Sequence, residues 1–113
     1  MKDEKLYVIH ILESIQRVES YTAEGKEAFF KDTRSQDAVL RNLHTMSEST
    51  QRLSSELKAK HPEVDWRSIG AFRNVLVHDY LGINMSRVWN IVETVLPDFK
   101  RTVETILEEM GGK

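Results

Sequence analysis

Apolar residues recur at three- and four-residue spacing along most of this chain, and no stretch sustains a period-two alternation. That pattern supplies helices packed on helices and no material for a sheet. Val8, Ile11, Leu12, Ile15 and Val18 form the first stripe, which predicts a helix from about Asp3 to Tyr21. Thr22 to Gly25 is a breaker, and Lys26 to Lys31, with Phe29 and Phe30, predicts one short helical turn. A longer helix follows, capped by Asp32 or Ser35 and striped by Val39, Leu43, Met46, Leu53 and Leu57, with His61-Pro62 as its stop. Asp65 is placed to cap the next helix, in which Trp66, Ile69, Leu76 and Tyr80 share a face. Leu81-Gly82-Ile83-Asn84 interrupts that helix, and Asn84 or Ser86 caps the last one.

The last stripe reads Val88, Val92, Val95, Phe99, Val103, Ile106, with Pro97 inside it. Proline removes a backbone donor and crowds the preceding turn. The stripe nevertheless resumes beyond Pro97, which predicts one kinked helix ended by Gly111-Gly112. The expected fold is therefore all-α, a four-helix bundle with short extra helical turns, formed as one domain over residues 1–113. A chain of 113 residues buries only a modest core. Its stripes are wide for that length, so a homodimer is expected.

Composition narrows the function. Cysteine is absent, which excludes disulfides and thiolate metal sites. No apolar run is long enough to span a bilayer, and Met1 to Lys5 carry no signal-peptide pattern, so the expected location is the cytoplasm. The formal net charge is −2. A nucleic-acid partner would then have to be met by local positive potential, or by potential assembled from two subunits.

The chemistry concentrates in Arg73-Asn74-Val75-Leu76-Val77-His78-Asp79-Tyr80. A guanidinium stays charged and presents forked donors that match phosphate oxygens. An imidazole can take a proton from a ribose 2′-hydroxyl or return one to a leaving 5′-oxygen. Asn74 can add a neutral hydrogen bond to substrate or to the His78 ring. On a continuous helix, positions 73 and 78 lie about 140° apart around the axis. Two arrangements bring them together: a helix ending near Val77, so that His78 turns back, or a two-fold partner contributing its own copy of the pair. The structural alternative pairs Arg73 with an acid such as Glu48, uses His78 at a helix end and leaves Tyr80 as a core aromatic.

His10, His44 and His61 lack metal-ligand spacing and read as surface or packing residues. Trp66 and Trp89 read as packing residues before base-stacking ones. Glu104, Glu108 and Glu109, with Lys100 and Arg101, read as a solvated face with ion pairs along the helix. Arg41 and Arg67 are candidate contacts for RNA or a protein partner.

Arg73-Asn74-x-x-x-His78-x-Tyr80 resembles the Arg-x4-His-x-Tyr signature of the HepT-type toxins in the HEPN superfamily. The likeness extends to Asp37-Ala38-Val39-Leu40-Arg41-Asn42-Leu43, to the lead-in from Pro62 to Ile69, and to Leu76–Ile83, Val88-Trp89 and Leu96-Pro97. Ala71-Phe72 departs from the Gly-Met that often precedes the motif arginine. The resemblance implies an all-helical HEPN-type dimer in which the Arg-x4-His segments of both subunits line one cleft. It implies a metal-independent endoribonuclease, the toxin of a type VII HEPN/MNT toxin–antitoxin pair, with Arg73, His78 and Asn74 as catalytic residues and no cofactor. It further implies an MntA-type nucleotidyltransferase antitoxin that transfers AMP to the motif tyrosine, here Tyr80. A bulky anion there would occupy or repel the substrate-phosphate site. The competing expectation is a non-catalytic helical scaffold or binding subunit for such a nucleotidyltransferase.

Overall fold

Local caps divide the chain into its helices. The structure, a computed structural model, describes residues 4–78 and 84–111, with the backbone alone for 73–78. Helix α1 spans Glu4–Tyr21, and α2 spans Lys26–Lys31 after a turn in which Gly25 takes φ 99°, a left-handed conformation suited to glycine. Helix α3 spans Thr33–Gln51. Of its two candidate caps, Asp32 serves: its carboxylate accepts from the backbone N–H groups of Arg34 (3.0 Å) and Ser35 (3.4 Å) and from the Ser35 hydroxyl (2.8 Å). Helix α5 spans Trp66–His78, and Asp65 caps it by accepting from the Ser68 N–H (3.1 Å) and hydroxyl (2.7 Å).

These caps carry a pH dependence. The Ser35 hydroxyl and N–H hold the Asp32 carboxyl below its ordinary value of 3.8, and the Ser68 hydroxyl and N–H do the same for Asp65. A carboxyl lowered by folding stabilises the native state fully above its unfolded pKa and loses that contribution as pH falls through the folded value. Thermal melts of the wild type should therefore decline below about pH 4. The double variant Asp32→Asn/Asp65→Asn, which retains neutral caps, should decline less steeply. Parallel acid limbs would refute this assignment.

The stripe running from Val39 through Leu57 is not one helix. The chain breaks at Arg52–Ser54, and a separate helix, α4, spans Ser55–Ala59. Ser54 makes the break: its hydroxyl oxygen accepts from Leu57 N–H (3.1 Å), while its own N–H and hydroxyl donate to Glu4 at the start of α1 (2.7 and 3.1 Å). Leu53 and Leu57 still reach the core, from a redirected chain.

The final run has no gap. Helix α6 spans Met85–Asn90, capped by Asn84, whose side-chain oxygen accepts from the Ser86 and Arg87 N–H groups (2.9 and 3.3 Å). A π-helical segment, Ile91–Val95, follows, and α7 spans Leu96–Glu109. The Leu96 N–H donates back to Ile91 O, so the wide turn falls just before Pro97, which enters the first turn of α7, where proline is tolerated. The wide turn also shifts the stripe. Val88, Ile91, Leu96, Phe99, Val103 and Ile106 are buried, and the expected Val92 and Val95 are only half-buried.

Helix α1 packs on α3 and α7, and α3 packs on α5. This is the expected all-α, four-helix bundle, with α2 and α4 as the short extra turns. Ile11, Ile15, Leu43 and Met46 are fully buried at its centre. Lys100 pairs with Glu19 on α1 (3.0 Å), and Glu109 bonds His61, so these members of the last helix tie elements together instead of pairing along one solvated face.

Candidate active site

Three contacts set the position of α5. Ile69 and Phe72 bury one face against the core. The buried Ser47 hydroxyl of α3 donates to Ile69 O (3.0 Å). The Trp66 indole N–H donates to Lys58 O (3.1 Å) and His61 O (3.0 Å), and its ring meets Phe99 edge-on at 5.9 Å. Both tryptophans are therefore packing residues: Trp89 is buried, with its ring 5.4 Å from Phe29.

Positions 73, 74 and 78 lie on this helix. Their side chains, and Tyr80 entirely, lie outside the described residues. Helix α5 includes both positions, so on its backbone 73 and 78 are separated by about 140° around the axis and about 7.5 Å along it. Position 73 lies on the stripe of Trp66 and Ile69. Position 78 falls on the opposite, outward stripe with the exposed Arg67 and Ala71.

Beside the start of α5 lies a groove of about 710 Å³, with Ile69, Phe72 and Ile91 in its lining and Asp65, Arg87 and Asn90 among its polar groups. Arg101 pairs with Asp98 along its rim.

The remaining candidates resolve simply. His10 is exposed, and His44 lies 3.8 Å from Glu48 one turn on. His61 is buried between two carboxylates, with Nδ1 3.2 Å from Glu63 and Nε2 3.0 Å from Glu109. The Glu63 backbone N–H, followed by the His61 ring, holds the Glu63 carboxyl below its ordinary value. Among the described residues no three His, Asp or Glu side chains gather as a metal site. Also among them, no helix is long and apolar enough to cross a membrane. Arg41 and Arg67 are exposed. Sequence reasoning passed over Lys58 and Gly70, which the fold places beside Arg67. The available signal was an unexplained glycine inside a striped helix.

A family model for ribonuclease HepT-like proteins matches residues 11–106, a span that contains all of α5 and the whole Arg73–Tyr80 motif. The chain belongs to the ribonuclease HepT-like family. Among its HepT-like relatives, "Probable ribonuclease HepT" of Thermococcus cleftensis is 31% identical over 106 residues, covering 93% of this chain and 96% of that protein. A protein of Caldanaerobacter subterraneus that also bears an RNase designation is 31% identical, covering 96% and 98% of the two chains. The "Gamma-glutamylcyclotransferase and putative RNase" of Methanocaldococcus jannaschii is 34% identical over 110 residues; this chain spans half of that relative's length. No solved structure matches this chain.

Proposed function

We propose that this HepT-like protein is the toxin of a type VII HEPN/MNT toxin–antitoxin pair and cleaves RNA internally without a metal ion. The family match through the whole of α5 carries the reading. Arg73 binds the scissile phosphate and stabilises the charge that develops on it. His78 moves the proton between the 2′-hydroxyl and the leaving oxygen, and Asn74 adds a neutral hydrogen bond. Two protomers supply one cleft, each acting as a single domain in the cytoplasm. The separation of positions 73 and 78 around α5 supports that arrangement, because a second copy supplies what one helix keeps apart. An MntA-type nucleotidyltransferase is the antitoxin, and Tyr80 is its AMP acceptor.

The purified chain should cleave RNA equally with and without a chelator, leaving 2′,3′-cyclic phosphate ends. Co-expression with its nucleotidyltransferase should add whole AMP units to the intact mass, mapped to the Tyr80 peptide, and end cleavage. A chain that cuts no RNA but binds the nucleotidyltransferase stably would establish the scaffold reading instead.

A further inference from the structure

A second hollow lies on the outward side of α5. Its volume is about 520 Å³, and Gln51, Lys58, Trp66, Arg67, Gly70 and Ala71 line it. Lys58 and Arg67 are its charged groups, and no carboxylate is in the lining. Neither cation closes an ion pair among the described residues. Arg67 does act at longer range on Asp65, beside it in the chain. The anchored Trp66 indole fixes the backbone at Lys58 and so fixes where that cation starts.

Gly70 is the second observation. Glycine weakens a helix interior. Here its backbone has no positive φ, and an added Cβ would meet only the flexible Gln51 side chain, at 3.2 Å. Neither backbone conformation nor helix packing calls for glycine. What glycine preserves is the open floor of the hollow beside the Gln51 amide.

Arg67, Ala71, Asn74 and His78 are spaced by four, three and four residues, which is one stripe of a helix. The floor at Ala71 is about 10 Å along the axis from position 78. A strand whose scissile linkage sits at His78 reaches the hollow within a few nucleotides. We propose that the hollow binds the RNA backbone at that distance, with Arg67 and Lys58 as phosphate contacts and Gln51 as a neutral donor. The proposal rests on the nuclease reading above. Two cations with no ion pair among the described residues, over a floor that Gly70 leaves open, suit a polyanion, whereas a protein interface is built around an apolar, charge-depleted centre. A chain of net charge −2 also needs its positive potential placed locally.

The test is steady-state cleavage of a long single-stranded oligoribonucleotide across a salt series, using wild type, Arg67→Gln, Lys58→Gln, the pair combined, and Gly70→Gln. Lys31→Gln, an exposed lysine on α2, controls for charge alone. The paired variant should raise KM about tenfold with kcat nearly unchanged, and lower the slope of log KM against log salt by about 1.4. The KM loss should shrink as the substrate is shortened towards a dinucleotide. Gly70→Gln should raise KM for the long substrate while melting no lower than wild type. Wild-type cleavage with all four variants matching Lys31→Gln would overturn the proposal and leave the nuclease reading standing. Unchanged cleavage with loss of nucleotidyltransferase binding would reassign the hollow to the protein partner. A wild type that cuts no RNA would remove the underlying reading and this proposal with it.

Discussion

Arg73→Ala and His78→Ala are each expected to lower RNA cleavage at least about a hundredfold, and an equimolar mixture of the two to recover about a quarter of wild-type activity. The losses follow from the chemistry. Removing the guanidinium leaves the developing phosphate charge uncompensated, and removing the imidazole leaves the 2′-hydroxyl proton without an acceptor near neutral pH. The recovery follows from α5. Its backbone sets positions 73 and 78 about 140° apart, and the proposed dimer then takes the arginine of a working pair from one protomer and the histidine from the other. Random reassortment makes about half of the dimers mixed, and each mixed dimer rebuilds one of the two Arg–His pairs in its shared cleft. Cleavage assays on separately purified and then exchanged subunits measure this, with far-UV spectra confirming that the helices persist. A mixture as inactive as its components would place both groups in one protomer. Toxicity surviving both substitutions would reject the nuclease reading.

Phe29→Ala is expected to destabilise the fold by about 3–5 kcal/mol, a melting decrease of roughly 15 °C or more. Helix α2 has six residues, too few to hold itself together in water. Phe29 docks it: the ring is 1% exposed and lies 5.4 Å from the Trp89 ring and 5.7 Å from that of Phe30. Truncation leaves a cavity against Trp89, a large residue on α6 that cannot follow the lost atoms inward. The buried Trp89 Nε1 has no hydrogen-bond partner among the described residues, so admitted water would gain one. Tryptophan emission should therefore shift to the red before global melting. A decrease below about 5 °C would mean that α2 contributes little to the core.

What was legible in the sequence was local. Asp32, Asp65 and Asn84 cap helices because a short polar side chain reaches donors two or three residues ahead, which needs no knowledge of the rest of the chain. The Arg73–Tyr80 motif that carries the proposal is equally local, eight consecutive residues. The break at Ser54 was not, because it depends on Glu4, fifty residues away, accepting from that serine. The π turn before Pro97 was anticipated only as a kink. Its effect, burying Ile91 and Leu96 in place of Val92 and Val95, comes from packing the whole run against the other helices. Glu109 read as surface charge because nothing local points to His61, with which it bonds across the fold.

The amino-acid order alone determined that this chain is helical and where most helices begin, since caps and periodicity act within one or two turns, and it supplied the Arg73–Tyr80 motif on which the proposed chemistry rests. Only the tertiary structure decided that the chain breaks at Ser54 against Glu4, and that Lys58, Arg67 and Gly70 form one hollow beside α5. Those facts depend on how distant segments share a buried interior, and burial is a property of the assembled chain.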